Sequence, residues 1–221
     1  MPPSHFSCSV FARVSMLAAL AAIVAGDRAQ AAGPTTLPSG GADYLAAALE
    51  VTSAIERDFA LPKRGLYAHS RTDRSPEFMW GNGIQFAALL AAARHDPKTY
   101  GPIRNRFFTA MNVYWDAKAP IPGYEPAPTA GRGNDKYYDD NAWLVLSCIE
   151  AFEDTGDRRY LARAEATLRF VLSGWDDAKG GGIWWHEGHK DDAKNTCVNA
   201  PAAVGCLMVA AHQPKAEAAK S

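Results

Sequence analysis

The sequence has no surplus of either charge. Its 23 lysines and arginines meet 24 aspartates and glutamates, a formal net charge of −1 over 221 residues. A nucleic-acid binder carries a basic stripe or patch, and the scattered cations here exclude that class. Cysteine is scarce as well. Of the 4 cysteines, Cys8 falls in the leader described below, leaving Cys148, Cys197 and Cys206, an odd set that cannot complete a disulfide framework. A Cys197–Cys206 bridge stays open, whereas Cys148, in an apolar helical run, reads as a small core residue. Neither CxxC nor a histidine-rich ligand spacing occurs, so no metal and no cofactor are expected. His186 and His189, in a polar loop, are expected to be solvated. The apolar run at residues 14–25 is too short for the roughly 20 residues a transmembrane helix needs.

What is present is close to half apolar, at 48%, enough to build one globular domain. The N-terminus reads as a targeting segment: His5 and Arg13 precede an alanine-rich run, and Ala29-Gln30-Ala31 supplies the small-x-small pattern that signal peptidases cut after. Residues 1–31 are therefore expected to be a signal peptide and residues 32–41 a linker rich in Pro, Gly, Ser and Thr. The mature protein is expected to be secreted or periplasmic, with no stable membrane span. Residues 42–211 form the domain and residues 212–221 a polar tail.

Helical periodicity governs that domain. Residues 42–59 carry Tyr44, Leu45, Leu49, Val51, Ile55 and Phe59 between charges, a surface helix with one buried stripe. Residues 77–94 are apolar all round, which predicts a helix buried all round. Residues 97–114 are amphipathic, with Arg104 and Arg106 beside Ile103, Phe107 and Phe108. A proline-studded loop at residues 116–134 has the length of a functional lid or rim. The pattern then recurs, with an inner helix at 138–152 ended near Gly156, an outer one at 158–173 and a third inner helix at 195–211. Tyr100 and Trp115 match Tyr160 and Trp175, each 60 positions on (160 − 100, 175 − 115). A repeated two-helix hairpin signals an all-α helical array or closed helical barrel.

Inner helices of such an array start on one rim, so the segments around Trp80, Asp139 and Asn195 should converge there. The stretch Lys136-Tyr137-Tyr138-Asp139-Asp140-Asn141-Ala142-Trp143 is its chemical centre. Two adjacent carboxylates can break a glycosidic bond while aromatic faces and amides hold the ring. The plainer role for Asp139 and Asp140 is helix capping, which aspartate favours and the helix dipole rewards. Trp80, Tyr137, Tyr138, Trp184 and Trp185 are candidates for sugar stacking, set against ordinary core packing. Trp143, inside the helix, reads as packing, and one of Trp184 and Trp185 should face the cleft. Asn82, Asn141, Asn195 and Asn199 suit sugar hydroxyls, though each alone can equally cap or bridge backbone.

Taken together, Tyr137 to Trp143, Thr155-Gly156-Asp157 with Tyr160-Leu161, Gly180-Gly181-Gly182-Ile183-Trp184-Trp185, Lys194-Asn195 and Asn199-Ala200-Pro201 resemble glycoside hydrolase family 76, over about residues 42–211. The resemblance implies an (α/α) barrel of the six-hairpin glycosidase type and endo-α-1,6-mannanase activity on α-mannan. It also implies a retaining mechanism, with Asp139 as nucleophile and Asp140 as acid/base. Retaining enzymes hold their carboxyl groups roughly 5 Å apart, against roughly 6.5–9.5 Å in inverting ones. Consecutive helical residues project about 100° apart. The pair therefore shares a sugar only where the helix start is irregular or the ring lies between them.

A closed barrel needs six or seven hairpins and three are visible, so about half of the toroid is expected. The last inner helix should expose Val204, Leu207, Met208 and Val209, leaving an unclosed edge open to self-association. Two other readings stay open. One is a non-catalytic carbohydrate-binding fragment that keeps the aromatic rim. The other is a sugar epimerase of the related barrel type, whose chemistry wants a histidine base where no inner helix start here carries one.

Overall fold

The computed structural model describes residues 43–133, 135–190 and 193–213. The expected leader and linker, and all but two residues of the expected tail, lie outside the described residues.

Within them the chain alternates outer and inner helices: α1 (Tyr44–Phe59), α2 (Met79–His95), α3 (Pro97–Ala110), α4 (Tyr138–Thr155), α5 (Arg158–Ser173) and α6 (Thr196–His212). Helix α4 is the hub, packed against α2, α5 and α6, while α2 also meets α1 and α3. The result is an inner row α2–α4–α6 backed by outer helices. Each of α1, α3 and α5 leads into a two-stranded antiparallel hairpin: β1 (Ala60–Leu61) with β2 (Leu66–Tyr67), β3 (Trp115–Asp116) with β4 (Gly123–Tyr124), and β5 (Trp175–Asp176) with β6 (Gly182–Ile183). The repeated Trp-Asp pair thus marks a strand in both units, with Trp115 opposite Tyr124 and Trp175 opposite Ile183.

Local chemistry explains where the outer helices begin. The Asp96 side chain accepts from the Thr99 amide ahead of Pro97, and the Asp157 side chain accepts from the Arg159 amide. These caps are 61 positions apart (157 − 96), although the buried tyrosines Tyr100 and Tyr160 keep the 60-residue period. The extra residue is Gly156, which ends α4 at φ 71°, a left-handed conformation that glycine adopts without penalty. Inner helices start differently. Phe78, Tyr137 and Asn195 precede α2, α4 and α6 in extended conformation and supply no side-chain cap; the first amides of α2 and α4 donate instead to loop carbonyls, Met79 to Pro126 and Tyr138 to Trp185, at 2.9 Å each.

Two apolar clusters hold the arc. The larger joins Phe86, Leu89 and Leu90 of α2 to Phe107 and Phe108 of α3 and to Leu144, Cys148 and Ile149 of α4. Tyr160 of α5 closes it, its ring 4.3 Å from that of Phe108. The smaller lies directly beneath the start of α4 and comprises Tyr138, Ala142, Phe170, Val171, Ile183, Trp184, Val198 and Ala202.

Several expectations are corrected. Helix α2 is not buried all round: Trp80 and Ile84 are 48% and 51% exposed, because α1, α3 and α4 leave one of its faces uncovered among the described residues. In α1 only Thr52 is buried, while Leu49, Ile55 and Phe59 pack partly on the core and Tyr44, Leu45 and Val51 remain exposed. Trp143 points outward at 41% exposure rather than packing. In α6, Val204 and Leu207 are exposed as expected, but Val209 is buried and Met208 packs against the core. Cys148, Cys197 and Cys206 are all free thiols, so the open pairing is not made. Among the described residues no helix is long and apolar enough to cross a membrane.

Candidate active site

The inner helices do start on one rim. Phe78 and Trp80 at the start of α2, Tyr137, Asp139 and Asp140 at the start of α4, Pro126 from the long loop and Trp185 from the loop after β6 line a cavity of about 460 Å³. The second residues of α2, α4 and α6 are Trp80, Asp139 and Cys197. The Cys197 Sγ lies 3.7 Å from Asp139 Oδ2. This helical register would have exposed Cys197 as a rim residue in the sequence. Phe78 had a signal too, two positions before Trp80.

Besides the Cys197 thiol, two N–H donors hold Asp139. The Trp185 indole Nε1–H donates to its Oδ2 at 2.9 Å, and the Asp140 amide donates to its Oδ1 at 3.0 Å. Part of the capping role is therefore real, since one carboxylate oxygen satisfies a first-turn amide. The other oxygen is oriented by an aromatic side chain of the cleft.

Asp140 is different. Its half-buried carboxyl has no hydrogen-bond donor among the described residues, and burial, with the Asp139 charge second, pushes its pKa from 3.8 up to about 7. Two adjacent carboxyls thus differ in environment: one is oriented by N–H donors, and the other is desolvated and holds its proton to near neutrality.

Of the aromatic candidates, Trp80, Tyr137 and Trp185 face the cavity. Tyr137 and Trp185 meet edge to face with centroids 5.0 Å apart. Tyr138 and Trp184 do not reach it. Tyr138 is buried and stacked on Phe170 at 4.8 Å. Trp184 is buried, with its indole donating to Asp176 Oδ2 at 2.6 Å and the Lys194 Nζ over its ring at 4.6 Å. Both tryptophans follow the end of β6: Trp184 continues inward beside Ile183 in the smaller apolar cluster, and the chain then bends so that Trp185 reaches the rim.

The asparagines hold backbone instead of sugar. Asn82 is fully buried and donates to the Glu77 carbonyl and Tyr114 hydroxyl. Asn141 is fully buried and bridges both the amide and the carbonyl of Tyr124, while also donating to the Tyr137 carbonyl. Asn199 spans the amide and carbonyl of Ile183 and donates to the Asn195 carbonyl. Asn195 serves α6 as its N-cap residue and does not line the cavity. The rim is further braced by buried Lys136, whose Nζ lies 2.9 Å from Glu187 Oε2 and 3.6 Å from Asp116 Oδ2. Buried Glu125 braces the proline-rich loop, accepting from the Thr129 hydroxyl and the Gly131 amide. His186, expected in solvent, is buried against the Tyr137 ring.

An arc of helical hairpins with a carboxylate pair in an aromatic cleft defines a class, the (α/α) glycosidase toroids, of which this is a part. The chain belongs to glycosyl hydrolase family 76, whose model matches residues 44–220. A family 76 α-mannanase of Bacteroides thetaiotaomicron is similar in structure at a TM-score of 0.69 and 26% identity, over 78% of this chain and 49% of that one. A family 76 mannosidase from the same organism aligns at a TM-score of 0.65 and 23% identity, over 78% and 50% of the two chains. An inactive variant of the α-1,6-mannanase of Salegentibacter sp. HEL1_6, with asparagines at two consecutive aspartates and bound to α-1,6-mannotriose, aligns at 0.63 and 20% identity, over 77% and 46%. The chain thus spans about half the length of the solved structures it matches. Compared by sequence with curated proteins, it matches none.

Proposed function

We propose that this protein is a glycoside hydrolase that cleaves α-1,6-mannosidic linkages of mannan with retention of configuration, working outside the cytoplasm as its N-terminal segment suggests. The observation that carries the proposal is the divergence of two adjacent carboxyls in one cleft. The family membership and the mannan-cleaving relatives support the substrate.

Asp139, aimed by the Trp185 indole and the Asp140 amide, attacks the anomeric carbon. The Asp140 carboxyl, protonated up to about pH 7, gives its proton to the leaving oxygen. A glycosyl ester on Asp139 and a free alcohol result. Asp140, now a carboxylate, takes a proton from water, which attacks the same carbon and releases the sugar and Asp139. Trp80, Tyr137 and Trp185 offer faces for the sugar rings.

The test is hydrolysis of α-1,6-mannan by the purified protein. Asp139→Asn and Asp140→Asn should each lower turnover by about 10²–10⁴-fold, and proton NMR of fresh product should show the α-anomer. Turnover unaffected by both substitutions removes the pair from the reaction. A β-anomer overturns retention. Binding of mannan without turnover favours a non-catalytic carbohydrate-binding protein.

A further inference from the structure

Where the loop after Trp185 meets the segment before α4 lies a second cluster that the sugar chemistry does not use. Asp135, His186 and His189 each present one ligand atom, and these atoms lie within 4.8 Å of one another. We propose that these three side chains bind a divalent transition-metal ion, zinc by the chemistry of the set, as a clip between the segment before α4 and the loop after β6. Two imidazoles and one carboxylate form a zinc donor set that leaves a fourth position for water.

The cluster is built for closure. His186 is only 5% exposed and is fixed between the rings of Tyr137 and His189, with centroids 4.5 and 4.4 Å away. Asp135 and His189 are exposed and can swing in from the surface. Donors around a tetrahedral zinc sit about 3.3 Å apart, so from 4.8 Å the closing shift is about 1.5 Å. Side-chain rotation of the two exposed ligands supplies it.

The backbone already brings the two segments together. Tyr137 and His186 form an antiparallel bridge, the Glu187 amide donates to the Lys136 carbonyl at 2.9 Å, and the Tyr138 amide donates to the Trp185 carbonyl at 2.9 Å. A metal at this junction stiffens the two residues, Tyr137 and Trp185, that line the cleft. Because Trp185 orients Asp139, the clip also steadies that carboxylate. None of the three side chains lines the cleft, so the proposal does not depend on the glycosidase reading.

One hydrogen bond reports on occupancy. The Gly188 amide donates to His186 Nδ1 at 3.2 Å. Metal on Nδ1 takes that lone pair, and metal on Nε2 moves the ring proton to Nδ1, so either mode breaks the bond.

The test uses the full chain, stripped with chelator and titrated with zinc chloride, with calcium chloride as control. Expected are one zinc per chain, no calcium binding, a displaced Gly188 amide resonance, and a melting temperature raised by about 5–10 °C at a hundredfold excess over Kd. Asp135→Asn and His189→Ala, both at exposed positions, should each weaken zinc roughly tenfold or more and cancel the thermal shift, with metal-free melting unchanged. Absence of zinc binding overturns the proposal. So does zinc binding of equal affinity in both variants, which would place the ion on other histidines.

Discussion

In the proposed mechanism Asp140 ties stability and activity together through a single proton. Folding raises its pKa from 3.8 to about 7, so the native chain binds this proton more tightly than the unfolded one. The stabilisation is full below the unfolded value and is lost as pH rises toward 7, beyond which the buried charge is a constant cost. Asp140→Asn should therefore be more stable than the parent at pH 8, by up to about 4 kcal/mol, and indistinguishable near pH 3, as read from urea unfolding at both values. The parent's kcat/KM on mannan should fall above about pH 7, as the acid deprotonates. Trp185→Phe keeps an aromatic face but removes the indole donor to Asp139. A lost bond to a charged group costs about 1.5–3 kcal/mol, so kcat/KM should drop about 10–100-fold with little change in melting. The two aspartates were legible because they are consecutive at a helix start. The asparagines were not, since an amide that suits a sugar hydroxyl suits a peptide group equally well, and only burial separates the two uses.

At the scale of elements, helices α1 to α6 follow from apolar periodicity and from the aspartates, proline and glycine at their ends. The two-residue strands β1 to β6 were not foreseen, because so short a hairpin leaves no period to read. They nonetheless set the rim, and their anchors predict what breaks it. Asn141 ties α4 to β4 through both polar groups of Tyr124. Asn141→Ala leaves these buried groups unpaired and should cost about 3 kcal/mol in urea unfolding. Gly174 sits where a Cβ would lie 2.7 Å from the Tyr138 ring. Gly174→Ala must displace that ring, so both melting temperature and mannan turnover should fall, whereas Gly101→Ala, inside α3 with no atom within 4 Å of its added Cβ, should leave turnover unchanged and raise the melting temperature by a few degrees.

For the whole molecule, apolar faces lie uncovered among the described residues: Tyr44, Leu45 and Val51 on the outer helix α1, and Val204 and Leu207 on the inner helix α6. Exposed apolar surface of this kind favours association. Light scattering should report a mass above that of a single chain, and Leu207→Glu should return it to the monomer; a parent that is monomeric at all concentrations refutes this. The amino-acid order by itself determined the alternation of inner and outer helices, the 60-residue repeat, the family and the carboxylate pair, because each is a pattern among residues near one another in the chain. Tertiary structure alone decided that Trp185 and not Trp184 faces the cleft, that Asp140 keeps its proton to about pH 7, and that Asp135 meets His186 and His189 across about fifty residues. Those outcomes depend on burial and on distances through space, which long-range packing sets and local sequence does not encode.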